Sequence, residues 1–435
     1  MNRPLVIENA RIVDPKSDYD GFGAILITDG RITDIAEGAA KGVPADAERL
    51  DAKGLIAAPG LIDMRVFTGE PGHEYRETLA SASAAAAASG VTSFVVMPDT
   101  QPVIDDGALV DFLVRRAGAN ASVNVLPAAA ITRGLGGKEL TEFGLLKEAG
   151  AICFTDGRSS IQSTAMLRAA FTYAANYDMP VVHHLIDKSL AGEGVMNEGL
   201  YASGLGLKGI PAEAETIPLA RDLQLARLTG VRYHAAQIST AGAVALMTAA
   251  KRESSRVSCG VSINNLALNE NDVGSYRTFY KLSPPLRTEA DRQAIIEGIR
   301  SGAVDVIHSD HDPQDTEVKR QPFAEASDGA IGLETLLAVA LRLVHNGEVD
   351  LLTVLRAMTS RPAEILGLET GRLAPGAPAD LILLDLDYPW VVEEKALLSR
   401  SRNTTFEGAR LSGRVMRTMV AGRTIYTHPD FGSPT

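Results

Sequence analysis

From Pro59-Gly60 to about residue 365 the sequence alternates short apolar runs with longer helical stretches, and this alternation restricts the fold more than any other feature. Thr92–Met97, Ala151–Phe154, Pro180–His183, Arg232–Gln237 and Val304–Ser309 read as strands. Ala108–Arg116, Thr164–Tyr177, Ala212–Thr229, Ala243–Lys251 and Leu333–His345 read as helices between and after them. Strands separated by helices are joined in parallel, because the crossover returns the chain to the same end of the sheet. Eight such units over about 300 residues close a (β/α)8 barrel. The alanine run Ala82–Ala88 reads as the first barrel helix, packed closely through small side chains.

The two chain ends have a different texture. Leu5–Ile7, Arg11–Val13, Ala24–Thr28 and Arg31–Ile35 are short β-rich runs, and Asp29-Gly30 between the last two is a hairpin signal. Short strands bounded by Gly, Pro and Asp return at Gly371–Ala374, Asp380–Asp385, Arg414–Val420 and Arg423–Tyr426. The expected architecture is α/β: a (β/α)8 TIM barrel of residues 59–365, set into a small composite β-sandwich domain of residues 1–58 and 366–435.

Composition removes several function classes. A net charge of −12 opposes nucleic acid as a main partner, since phosphate contact needs a basic face. No run approaches the roughly 18 apolar residues that span a bilayer. The first residues, MNRPLVIENARIVDP, read as a strand without the apolar core of a signal peptide, so the expected location is the cytoplasm. Cys153 and Cys259 are the two cysteines, without CxxC spacing, and read as buried small hydrophobes rather than a disulfide or a cysteine zinc site.

Pro59-Gly60-Leu61-Ile62-Asp63-Met64 resembles the segment that opens the barrel of the cyclic amidohydrolases, a group that includes dihydroorotases, allantoinases and hydantoinases. Further segments resemble dihydroorotases of the long bacterial type. They are Glu70-Pro71-Gly72, Met97-Pro98-Asp99-Thr100, the run Gly192–Gly199, Ser239-Thr240-Ala241-Gly242, Pro284-Pro285-Leu286-Arg287, Ser309-Asp310-His311, Gly332-Leu333-Glu334 and Asn403–Gly408. Each is weak alone, but together they run in family order from about residue 50 to 425. The resemblance implies a metal-dependent-hydrolase barrel that opens and closes the ring amide of dihydroorotate with zinc. A ring amide is a poor electrophile and water a poor nucleophile, so a metal that polarises the one and acidifies the other suits the reaction. A carboxylate would carry the proton.

Position by position, the resemblance also implies that this site is degraded. The family's His-x-His pair reads Arg65-Val66-Phe67, and neither a protonated guanidinium nor a phenyl ring can ligate zinc. The substrate-gripping arginine two residues later is Gly69. His184 survives at the next ligand position, Gln237 replaces the histidine after it, and a paired histidine reads Asn264-Asn265. Asp310 stands at the catalytic carboxylate and metal position. Asp156 matches the bridging aspartate with a register uncertain by one, because the family doubles that residue. The substrate positions carry Asp99 and Ser283 in place of asparagines and Gln314 in place of a histidine. His184, Asp310 and Asp156 are the donors left for a metal. They persist either as a remnant of the site or as hydrogen-bonded strand-end residues. His183, His234, His308 and His311 also fall near strand ends, but His183 and His184 alternate faces and cannot serve one site together. A guanidinium at Arg65 could instead stand where the metal was and compensate Asp310.

The expectation is a dihydroorotase-like chain of pyrimidine biosynthesis that lacks catalysis and needs no cofactor. The resemblance supplies its partner, aspartate transcarbamoylase, which degenerate dihydroorotase-like chains hold in an active assembly, and implies self-association. The alternative is an active dihydroorotase or related cyclic amidohydrolase with an atypical zinc site. A protein that binds a different small ligand in the old pocket is the third reading. The loop near Thr316–Asp328 lacks the family's Pro-Phe-Gly, and the sequence leaves open whether it closes over the pocket.

Overall fold

The computed structural model describes residues 3–40, 42–274 and 276–431. Eight parallel strands follow one another in chain order around the barrel: Leu61–Val66, Val91–Val96, Asn124–Ala129, Cys153–Phe154, Pro180–His183, Arg232–Ala235, Val257–Ser262 and Val306–His308. The ring closes just past the ends of the first and last strands, where Phe67 N donates to His311 O at 2.8 Å. Helices shield the outer face, and their starts are fixed by side-chain caps. Thr78, Asp106, Ser163, Thr240 and Thr288 each accept a first-turn backbone N–H. The alanine helix, Leu79–Ala88, buries most of its side chains, as its composition predicts. Buried thiols fit the reading of Cys153 and Cys259, which burial pushes up to about 12.

Two barrel strands were not singled out by pattern. Asn124–Ala129 carries an asparagine and a proline, and Val257–Ser262 carries two serines and a glycine, so neither shows as an apolar run. Gly260 has a steric cause, because a Cβ there would lie 2.9 Å from the His308 ring and from Ala236 O. In the other direction, Gly371–Ala374 is not a strand. Gly371 turns the chain at φ +79°, and a Cβ would press on Thr359 O at 2.7 Å.

Both chain ends join one eight-stranded sheet. The amino-terminal strands Leu5–Asp14, Tyr19–Thr28, Arg31–Glu37, Glu48–Asp51 and Ile56–Pro59 pair onward to Leu381–Val391, Arg410–Val420 and Arg423–Thr427. The Asp29-Gly30 hairpin is present, with both residues at positive φ. The sheet curls over its own core of Leu5, Ile7, Ile25, Ile32, Leu381 and Leu383, and Ile32 N reaches Ala377 O at 3.0 Å. Its outer residues Ile382, Leu384 and Val415 belong to the barrel's hydrophobic core, so the two parts pack as neighbours across apolar surface. Among the described residues, no helix is long and apolar enough to cross a membrane.

Candidate functional site at the barrel mouth

The carboxyl ends of the strands converge on a patch of paired charges. In the first strand, Ile62 and Met64 join one apolar cluster and Leu61 and Val66 another, which leaves Asp63 and Arg65 as buried polar members. Asp63 ties the first strand to the last, accepting from Arg65 N at 3.0 Å and Ser309 N at 3.2 Å. Burial raises its carboxyl to about 6. Arg65 is 3% exposed and directs Nε to Asp310 Oδ1 at 2.8 Å. Burial raises the Asp310 carboxyl above its ordinary range, and the Arg65 guanidinium pulls against that rise.

A second cation, Arg158, completes the cluster. Its Nε lies 2.8 Å from Asp312 Oδ2, its Nη2 pairs with Oδ1 of the same carboxylate, and its backbone N donates to Asp99 Oδ2 at 2.9 Å. The guanidinium sits 3.8 Å from the centroid of the Phe67 ring, and that of Arg65 sits 5.0 Å from it. Phe67 is therefore an apolar partition contacted by two cations through its electron-rich face. Asp99 is largely buried, with Oδ1 unpartnered, and desolvation raises its carboxyl against the pull of Arg158. Asp99 also fills space: a Cβ at Gly157 would lie 1.4 Å from Asp99 Oδ1.

The remaining positions are dispersed. Asp156 accepts from Ile131 N (2.8 Å), Thr132 N (2.9 Å) and Thr132 Oγ1 (2.5 Å), so both its oxygens serve a neighbouring loop. Gln237 Nε2 donates to Ser283 O at 2.8 Å, and Gln314 Nε2 donates to Asp312 Oδ1 at 2.7 Å. Gly69 holds φ +85° in a turn where a Cβ would meet His73 O at 2.7 Å, so no arginine fits there. Asn264 and Asn265 bond Thr405 Oγ1 and Pro285 O. His184 is buried with Nδ1 unpartnered, and burial followed by the cations Arg65 and Arg158 holds it well below the usual histidine range.

The other histidines serve separate partners. His183 turns outward to Asp222 Oδ2 at 2.6 Å, opposite to His184, and accepts from Ile161 N at 3.0 Å. His234 bonds Ser258 Oγ at 2.8 Å, and His308 lies 3.2 Å from Ala236 O. His311 accepts from Gly332 N at 3.3 Å and faces Glu77 across 3.4 Å.

These donors do not fit zinc. A catalytic zinc needs three protein ligands of suitable type. Asp156 has both oxygens engaged, Asp310 is paired with a fixed cation, and among the described residues no three His, Cys, Asp or Glu side chains converge. A divalent ion beside Arg65 and Arg158 would also meet like charge, at about 4 kcal/mol per unit-charge pair a few ångströms apart at an effective dielectric of 20. The arrangement pairs the mouth's carboxylates with the chain's own cations.

Sequence reading missed Arg158 and Asp312, which form the cluster's two-pronged pair. Their signal was adjacency, since each stands two residues after a position already singled out, Asp156 and Asp310. The retained motifs explain themselves as scaffold. Glu215 accepts from the backbone and hydroxyls of Ser239 and Thr240, and Arg287 links Ser239 Oγ to Asn197 Oδ1 and Ile210 O. That network fastens the excursion containing Met196–Asn197 and Gly209–Ile210 against the barrel rim.

Fold and mouth together define a barrel of the amidohydrolase class. An L-hydantoinase (dihydropyrimidinase) from Arthrobacter aurescens superposes with TM-score 0.88 at 25% identity, covering 98% of this chain and 96% of that one. A dihydropyrimidinase from Brevibacillus agri NCHU1002 shares the fold, with TM-score 0.84 at 19% identity over 98% and 95% of the two chains. Residues 54–243 match the family model described as Dihydro-orotase-like, and residues 311–426 match that of the amidohydrolase family. The dihydroorotase of Anaeromyxobacter sp. (strain K) is 41% identical over 428 residues, 98% of each chain, and that of Syntrophus aciditrophicus (strain SB) 41% identical over 422 residues, 97% and 99%. The chain belongs to the dihydroorotase family.

Proposed function

We propose that this dihydroorotase homologue is non-catalytic and acts as a structural or regulatory partner of aspartate transcarbamoylase. The observation that carries the loss of catalysis is the ion pair of Arg65 with Asp310, which commits the carboxylate needed for proton transfer to a fixed internal cation. Asp99 adds a second obstacle, since it presents a carboxylate where an anionic substrate would need a donor. The partner is the one the family resemblance suggests: a chain that keeps the scaffold of its family and loses the chemistry retains surfaces as its means of action.

An active hydrolase is the second reading, supported by 41% identity to proteins named dihydroorotase and by the survival of His184 and Asp310. Metal analysis of the purified full-length chain alongside dihydroorotate turnover separates the two. Stoichiometric zinc or turnover would remove the first reading. Without either, co-purification with aspartate transcarbamoylase supports the partnership, and failure to form a complex from purified components sinks it.

A further inference from the structure

The opposite end of the barrel carries a cavity of about 270 Å³, lined at the starts of the fifth to seventh strands and by the helix Ser360–Leu366. Active sites of such barrels lie at the carboxyl face, so this cavity is separate from the mouth. Three arginines border it. Arg232 donates to the carbonyls of Asp178 (3.1 Å), Glu364 (3.3 Å) and Ile365 (2.6 Å), so its charge has no carboxylate hydrogen-bonded to it. Arg256 bonds Gly230 O and the Asp178 carboxylate, and Arg361 pairs with Asp305 and Glu364. Lys16 and Lys251 pair with the same Glu364 and Asp305. Five cations thus face three carboxylates in a chain whose net charge is −12. Among the cavity's lining residues, His234 is 1% exposed and gives Nδ1 to Ser258 Oγ, while Nε2 has no protein partner among the described residues.

We infer that this cavity binds a small phosphate monoester, held by Arg232, Arg256 and Arg361 and seated beside the His234 ring. Guanidinium forks match phosphate oxygens in pairs, and a local positive excess on an acidic chain draws anions to that spot. The volume admits a phosphate with a few carbon atoms and excludes a polymer. The site lies outside the amidohydrolase chemistry and stands whether or not the mouth is catalytic.

The test is an NMR titration of the full-length chain with glycerol 3-phosphate, with inorganic phosphate in parallel at constant ionic strength. Eight histidines make the imidazole signals tractable, and loss of a signal in His234→Gln assigns it. The expected result is a saturable shift of the His234 resonances, weakened about tenfold in Arg256→Gln, whose side chain is 45% exposed and whose loss leaves the fold in place. Ser258→Ala, which keeps all three arginines, serves as the control and is expected to bind as the wild type does. Absence of a saturable shift, affinity in Arg256→Gln equal to that of the wild type, or binding of inorganic phosphate with exclusion of the monoester would each overturn the assignment.

Discussion

Arg65 Nε and Asp310 Oδ1, 2.8 Å apart, join the ends of the first and last barrel strands through a charge pair sealed from solvent. Removing one partner of a buried pair strands the other, which costs more than the pair itself contributes. Arg65→Leu is expected to destabilise the chain by about 3 kcal/mol at pH 7. Asp310 already has a raised carboxyl, and without Arg65 it rises further. A raised carboxyl favours folding at low pH and loses that contribution as pH rises. The deficit of the variant should therefore shrink from pH 7 to pH 5 in urea unfolding. An equal deficit at both pH values would contradict this account.

Arg158 and Asp312 should show a measurable coupling. Arg158 is about one-third exposed, so solvent screening limits its contribution. Arg158→Met is expected to cost about 1–2 kcal/mol, and a cycle with Asp312→Asn should return a coupling of about 1 kcal/mol. Additive losses would show that the two side chains meet without supporting each other.

Chelation should leave the fold indifferent. The mouth's carboxylates already have cationic or hydrogen-bonded partners from the chain itself. Prolonged dialysis against EDTA is expected to move Tm by less than about 1 °C, because no bound ion contributes its binding free energy to the native state. A fall of several degrees, reversed by zinc, would point to a resident metal.

The loop 316–328 is closed by two buried lysines. Lys319 Nζ donates to Ser327 O at 2.7 Å and Thr278 O at 3.0 Å, and Lys281 Nζ donates to Ala326 O at 2.6 Å and Ala324 O at 2.9 Å. Burial lowers the Lys319 ammonium to about 8. Lys319→Met should speed amide exchange across 316–328 about tenfold while exchange in the barrel strands stays unchanged. Equal acceleration everywhere would mean the lysine supports the whole fold rather than the loop.

His234 should leave a signature in the acid limb of the stability curve. Burial lowers it to about 4, below the 6.5 of a free imidazole. As pH falls from 6.5 towards 4, the unfolded chain takes a proton that folded His234 refuses, so stability is lost in that window. Between pH 6 and 5 the wild type should lose about 1.4 kcal/mol per pH unit more than His234→Gln. Parallel curves would show that the imidazole titrates freely in the folded state.

The barrel was legible because its apolar strands and capped helices obey local rules. Pro180–His183 appears with the bounds read from sequence, and the helix read as Ala212–Thr229 starts one residue later, at Glu213. Strands escaped notice where barrel geometry overrides composition, as at Gly260, whose missing side chain makes room for the His308 ring. At the mouth, the unfitness of Arg65 and Phe67 as ligands could be read from chemistry alone. Their companions could not, because Arg158 gains its meaning from Asp312, 154 residues away, and from the face of Phe67. Asp156 looked like a ligand in sequence, whereas its carboxylate turns to the loop at Ile131-Thr132.

The close approach of Asp99 to Gly157 ties two loops of the mouth to each other. The family resemblance doubles the aspartate at Asp156 with a register open by one, and a side chain at 157 would collide with the Asp99 carboxylate at 1.4 Å. A side chain at 157 would break the packing, and removing Asp99 would strip Arg158 of the acceptor for its backbone N–H. Neither single step is neutral. The two positions are therefore coupled, and a change at either calls for a compensating change at the other.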